Sequence, residues 1–253
     1  MIARTSLRRF ALVELALWAS VYPAYLAIRG ATIGDRGAAI GHANEVVHLE
    51  RTLSLLHERW LQHAVHFVSW LFSAYYLLGF GPLLAATLIW LGLRHKERYR
   101  ELRTLLFLSL GIAVFFYVLF PTAPPRLVPG LGLTDTVGMS SHDTGSFLGI
   151  RFNPYAAMPS MHVGWSLLVA FVVARTVSRR WLRALVCLHP VLMAITVTAT
   201  GNHYFLDSIA GATAALVAIA ACHGVGRLRR PRHEAEIIQF PARADRDDVR
   251  RAA

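Results

Sequence analysis

The sequence predicts an all-α membrane protein: a bundle of six transmembrane helices, with one further amphipathic helix between the first and the second. Three observations carry that expectation. Hydrophobic residues make up 55% of the 253 and charged residues only 16%, whereas a soluble domain holds about a quarter charged. Six segments approach the ~20 apolar residues needed to cross a bilayer. The arginines gather at every second segment end, as a positive-inside protein needs.

The first segment, residues 10–28, follows Arg4, Arg8 and Arg9. It resembles a signal peptide only in those flanks. No small-residue cleavage site ends it, so it is expected to stay as a helix. Within residues 44–62, Val46, Leu49, Leu53, Leu56 and Trp60 recur at spacings of three and four, the pattern of a single amphipathic helix. Two readings fit it: a helix lying in the outer interface, or one packed over the loops. Residues 64–93 form the second span. Arg94, Lys96, Arg98, Arg100 and Arg103 separate it from the third, residues 102–120. Residues 121–159 are rich in Pro and Gly and exceed a normal connector, and long ordered loops are usually functional. The fourth span is residues 160–177. Arg175, Arg179, Arg180 and Arg183 lead to the fifth, residues 181–199, where His189 precedes Pro190 and is expected to pack at a kink. The sixth is residues 204–225, followed by Arg227, Arg229, Arg230 and Arg232. Residues 1–226 thus form one membrane domain. Residues 227–253 read as a charged, disordered cytoplasmic tail.

Six crossings put all four basic clusters on one side, which should be cytoplasmic, with both termini there. The expected location is a bacterial cytoplasmic membrane. The opposite, outward side carries residues 30–63, residues 121–159 and the turn at Gly201. The net charge of +11 does not indicate nucleic acid, because the arginines sit at segment ends. Cys187 and Cys222 lie in apolar runs and read as buried thiols, without a disulfide framework.

The chemistry-bearing residues lie on the outward side. Pro159-Ser160-Met161-His162 opens the fourth segment. Proline suits the first helical turn, and the free N–H groups from Ser160 onward would hold an anion. The Ser160 hydroxyl adds a donor, and His162 stands where it can protonate a leaving oxygen. Gly201-Asn202-His203-Tyr204-Phe205-Leu206-Asp207 opens the sixth segment. His203 and Asp207 are four apart and share a helix face. A neutral imidazole attacks phosphorus, and a carboxylate on its other nitrogen stabilises the developing charge. The competing reading is a structural His–Asp bond that pins two helices. Arg126, in Pro121-Thr122-Ala123-Pro124-Pro125-Arg126, offers a guanidinium fork to phosphate oxygens; its rival role is contact with lipid headgroups. Arg151 is a second candidate from the same loop. No metal site is expected: His42, His48, His57, His63 and His66 are joined by no cysteine or carboxylate at ligand spacing.

These three motifs in this order resemble the type 2 phosphatidic acid phosphatase (PAP2) superfamily. Within it they are most similar to the branch of inositol phosphotransferases and inositolphosphorylceramide synthases, which the Leu49-Glu50-Arg51 and Leu53 stretch also resembles. The resemblance spans about residues 10–226. It implies the PAP2 six-helix fold and a mechanism without cofactor or metal. In that mechanism His203 attacks phosphorus and forms a phosphohistidine, and Asp207 orients it. His162 protonates the departing alcohol and then activates the acceptor. Arg126 and Ser160, with neighbouring backbone donors, hold the phosphoryl oxygens. The choice of His203 as the attacking histidine rests on Asp207 and on the resemblance. Three positions depart from the broad superfamily pattern. Leu119 stands where that pattern has lysine, Met161 where it has glycine, and Val197 where it has arginine. Two phosphate-holding cations are therefore missing, and Arg151 is the candidate to compensate.

The expected partners are a lipid phosphate or phospholipid substrate and, for transfer, a polyol or inositol acceptor. If water accepts the phosphoryl group the enzyme is a phosphatase; if an alcohol accepts it, a phosphotransferase. The alternative class is a non-catalytic lipid-binding or transport protein. That class would need polar groups deep in several helices, whereas here they concentrate at one face. A haloperoxidase-like activity, which the family's anion pocket would permit, implies a soluble scaffold that this chain lacks.

Overall fold

The computed structural model describes residues 2–31, 35–138, 146–147, 150–151 and 153–228. Nearly all of it is helical. The first helix, α1 (Ile2–Ala31), leads to α2 (Arg36–Thr52) and α3 (Glu58–Ala64). A 3₁₀ turn, His66–Val68, precedes α4 (Ser69–Gly79) and α5 (Gly81–Arg94). Helix α6 (Lys96–Leu119) is followed by a long connection, and then come α7 (Met161–Ala174), α8 (Arg180–Ala199) and α9 (Phe205–Leu228). The connection holds a 3₁₀ turn, Pro125–Leu127, and two antiparallel two-residue strands, β1 (Ser146–Phe147) and β2 (Ile150–Arg151).

Among the described residues, five stretches are long and apolar enough to cross a membrane: Arg9–Ile28, His66–Arg94, Lys96–Leu119, Arg180–Ala199 and Phe205–Gly224. The fourth expected span, residues 160–177, is shorter than its hydropathy suggests. Helix α7 has fourteen residues and rises about 21 Å, against a hydrocarbon core of ~30 Å. Nine of its residues are buried, which makes it the central helix of the bundle. Leu168, Val169, Val172 and Val173 pack against Leu102, Leu105 and Leu106 of α6 and against Ala215 and Ala218 of α9. Small residues on α9 let the backbones approach, as membrane helix pairs require. The outward faces of the other long helices carry Leu15, Leu78, Ile89, Phe115 and Leu185, which suits contact with lipid.

The expected single helix over residues 44–62 is two helices. Helix α2 closes in a Schellman motif: Leu55 N–H bonds Glu50 O (2.7 Å) and Ser54 N–H bonds Arg51 O (3.1 Å). Ser54 takes the left-handed conformation (φ 57°) that such a stop demands. The buried face also differs from the expected stripe. Ala39, Ala43, Val46, Val47 and Glu50 face inward, while Leu49, Leu53 and Trp60 are exposed. Small residues let α2 lie close to the loops beneath it, a spacing that a search for large apolar residues does not register.

The second expected span is likewise broken. Phe80 has non-helical angles (φ −101°, ψ −83°) between α4 and α5, and Pro82 then stands in the first turn of α5, where its missing N–H is harmless. In α8, His189 beside Pro190 meets the Tyr75 hydroxyl across the helix pair (2.5 Å). Cys187 is exposed and Cys222 half-buried, so the expectation of two buried thiols fails; Cys187 sits on the outer face of α8. Residues 229–253 of the expected tail lie outside the described residues.

One end of the bundle gathers the basic clusters. Glu101 of α6 meets Arg98, Arg175 and, at 3.5 Å, His223 of α9, and Glu14 of α1 pairs with Arg103. The end of α6, the start of α7, the end of α8 and the start of α9 meet at the opposite end.

Candidate active site

Three chain segments converge at that opposite end. Residues 121–126 are held by backbone hydrogen bonds on several sides. Thr122 N–H bonds Tyr155 O (2.7 Å), Ala157 N–H bonds Thr122 O (3.2 Å), and Ala123 N–H bonds Ala39 O of α2 (3.1 Å). Arg126 N–H bonds Gly201 O (3.1 Å), and the Tyr204 hydroxyl bonds Ala123 O (3.1 Å). The first motif is thereby fixed to the third. Gly201 turns the chain with φ 72°, and a Cβ there would lie 3.0 Å from Thr134 O. Glycine is needed on both counts.

His203 and Asp207 meet as expected. His203 Nδ1 lies 3.2 Å from Asp207 Oδ2, and the same oxygen accepts the Tyr204 N–H (3.0 Å). Asp207 is fully buried. Because the carboxylate accepts, Nδ1 carries the proton and Nε2 keeps the lone pair. His162, in the first turn of α7, faces this pair with ring centroids 5.5 Å apart. Its ring is walled by Phe80 (4.2 Å) and Tyr76 (4.6 Å). The break between α4 and α5 therefore places an aromatic wall beside His162.

Both histidines border a cavity of about 500 Å³. Arg126 and Asn202 form its polar rim; Trp18, Leu84, Leu88 and Leu110 line its apolar part. Arg126 donates to Asn202 Oδ1, and its Nε lies 3.7 Å from Asp135. Burial pulls the guanidinium below its usual value, and Asp135 opposes that shift. A guanidinium keeps its proton inside proteins, so Arg126 is a cation here. A phosphoryl group in this cavity would meet a nucleophilic nitrogen, an acid on the other side and a fixed cation.

The remaining candidates are placed differently. Ser160 is fully buried and does not border the cavity. Its N–H is already bound to Asp207 O (2.9 Å), so the expected anion site at the start of this helix has lost its first donor. Pro159 lies before the N-cap Ser160 rather than inside the first turn. The physical reason is the close approach of α9. A Cβ on Gly211 would sit 2.0 Å from Ser160 O, and one on Gly164 would sit 2.7 Å from Gly211 O. Arg151 is in β2; its side chain lies outside the described residues.

Four polar residues were given no role by sequence reasoning. Asn202 was hidden beside the more conspicuous His203. Gln62 binds Thr134 through both backbone groups, and also bonds Ala199 O (3.1 Å), fastening α3 to the loop and to α8. Glu50 and Glu58 accept from the first turn of α9: Leu206 N–H to Glu50 (2.7 Å) and Phe205 N–H to Glu58 (3.2 Å). The available signal was a glutamate on the small-residue face of α2, in register with Ala39, Ala43 and Val46.

The family model for the PAP2 superfamily matches residues 44–221, well over half of the chain. The chain belongs to the PAP2 superfamily. Among solved structures, the crystal structure of Aquifex aeolicus LpxE is similar to this PAP2 chain. Its TM-score is 0.53 at 20% identity, covering 68% of this chain and 94% of that one. At that identity the likeness speaks for the fold. No curated protein sequence matches. Two of the positions where this PAP2 chain departs from the broad pattern have structural roles of another kind. Leu119 is exposed at the end of α6, and Val197 is buried in the core with Val163 and Met193. Among the described residues, Arg126 is the cation that lines the cavity.

Proposed function

We propose that this PAP2 protein is a metal-independent lipid-phosphate phosphatase or phosphotransferase working through a phosphohistidine. The supporting observation is the His203–Asp207 pair facing His162 across a cavity with a cationic rim and an apolar floor. His203 Nε2 attacks phosphorus, the phosphorus–oxygen bond to the lipid alcohol breaks, and His162 gives its proton to that oxygen. His162 then takes a proton from water or from an acceptor alcohol. The new oxygen attacks phosphorus and frees His203. Arg126 and Asn202 hold the phosphoryl group at the rim, with Arg151 as a second cation. The apolar floor takes an acyl chain. The chain crosses the membrane six times, α7 included, with α2 and α3 in the outer interface and both termini in the cytoplasm. The cavity then faces outward.

The deciding assay follows phosphorus release from a panel of lipid phosphates and phosphodiesters, with and without inositol or glycerol, and with and without EDTA. Free phosphate released by wild type at an unchanged rate in EDTA supports the phosphatase. A phosphate ester of the added alcohol, a monoester from a lipid phosphate or a diester from a phosphodiester, supports the transferase related to the inositolphosphotransferase branch. Neither product from folded protein would favour the non-catalytic lipid-binding class.

Arg126→Lys keeps the charge but loses the fork. It is expected to lower kcat/KM about 10- to 100-fold, the scale of one charged hydrogen bond. An unchanged kcat/KM would remove Arg126 from the phosphate site.

A further inference from the structure

Helix α9 begins among three buried carboxyl groups. Glu50 (0% exposed) from α2, Glu58 (2%) from α3 and Asp207 (0%) from α9 itself surround its first turn. Each accepts a different N–H: Leu206 to Glu50, Phe205 to Glu58 and Tyr204 to Asp207. A helix start welcomes negative charge, but not three full charges away from water. At least one of these carboxyls is therefore expected to carry a proton, because a buried charge without a cation or a donor is costly. Glu50 Oε2 is buried and has no N–H or hydroxyl partner, so it is the oxygen free to hold that proton.

We propose that Glu50 and Glu58 are positioning residues: two buried carboxyl groups, Glu50 holding a proton, that clamp the first turn of α9 and so aim the His203–Asp207 pair at the substrate. The groups acting on Glu50 are Glu58 from α3, and Asp207 and the Leu206 N–H from α9. Among the described residues, no cation acts on it. Burial and the two neighbouring carboxyls push Glu50 up to about 9. The stabilising contribution of protonated Glu50 is complete below the usual carboxylate range and is lost as pH rises through about 9. Loss of that proton puts two adjacent charges behind the turn that carries His203 and Asp207. The proposal rests on the reading of His203 as nucleophile for its kinetic arm alone.

The test compares wild type, Glu50→Gln and Glu50→Ala in detergent. In the first arm, infrared spectra are taken from about pH 6 to about pH 10. Wild type should show a protonated-carboxyl carbonyl band that titrates near the alkaline end, and Glu50→Gln should lack it. In the second arm, kcat for phosphate release from phosphatidic acid is measured over the same range. Wild type should lose kcat on the alkaline side. Glu50→Gln, whose amide both donates and accepts, should keep neutral-pH kcat within about threefold and lose the alkaline fall. Glu50→Ala should drop kcat about tenfold or more with little change in KM, the mark of misplaced groups rather than lost binding. An alkaline limb unchanged in Glu50→Gln, or no titrating carboxyl band in wild type, overturns the proposal. A band that behaves as expected in a protein that turns over none of the lipid phosphates and phosphodiesters, with or without an added alcohol, would instead overturn the functional reading and leave the buried proton standing.

Discussion

His203→Ala is expected to abolish phosphate release, a fall of at least about a thousandfold in kcat, while the protein remains folded and in the membrane. His203 borders the cavity, and its side-chain hydrogen bond is to Asp207 (3.2 Å). Removing the imidazole therefore takes away the attacking nitrogen without opening the core. Asp207→Asn tests the second half of the pair. The amide oxygen can still accept the Tyr204 N–H, but only one of two orientations keeps Nδ1–H bound, and no negative charge balances the imidazolium. A loss of about a hundredfold to ten-thousandfold follows, by the logic of an orienting carboxylate. The measurement is single-turnover phosphate release with purified variants, together with capture of acid-labile phosphate on the protein. Wild-type rates in His203→Ala would rule out this nucleophile, and labelled phosphate retained by that variant would move the intermediate to His162.

Gly211→Ala should have the largest effect on stability. The added Cβ would stand 2.0 Å from Ser160 O and 2.9 Å from Ser160 C, backbone atoms that no rotamer change can move aside. Helices α7 and α9 must separate, at a cost of about 3 kcal/mol or more, the upper end for overpacking. The same separation stretches the Ser160 N–H bond to Asp207 O, so activity should fall with stability. Gly224→Ala, in the same helix with nothing within 4 Å, is the control; alanine favours helix and should be neutral or mildly stabilising. Thermal unfolding in detergent separates the two. Matching melting temperatures for Gly211→Ala and wild type would mean that the helices do not meet there.

The sequence by itself determined the class of the protein and the core of its candidate site. Apolar runs with arginines at alternate ends require helices in a bilayer, because lipid leaves no other partner for the backbone. The His203–Asp207 pair was legible because a spacing of four places two residues on one helical face. His162 and Arg126 were legible from prolines and a helix start, which are local signals. What only the tertiary structure decided involves residues distant in sequence. Helix α7 is short yet central, since its neighbours, not its length, decide its burial. Leu49 and Leu53 face outward because α2 packs through Ala39, Ala43 and Val46, and Ser54 ends that helix early, which leaves Trp60 to α3. Ser160 sits behind the cavity because Gly211 lets α9 press against it. Glu50 and Glu58 lie 156 and 147 residues from the N–H groups that they accept, and no local pattern reports a contact of that reach. Periodicity follows from bonds along one chain segment; burial and partnership follow from which segments the fold brings together.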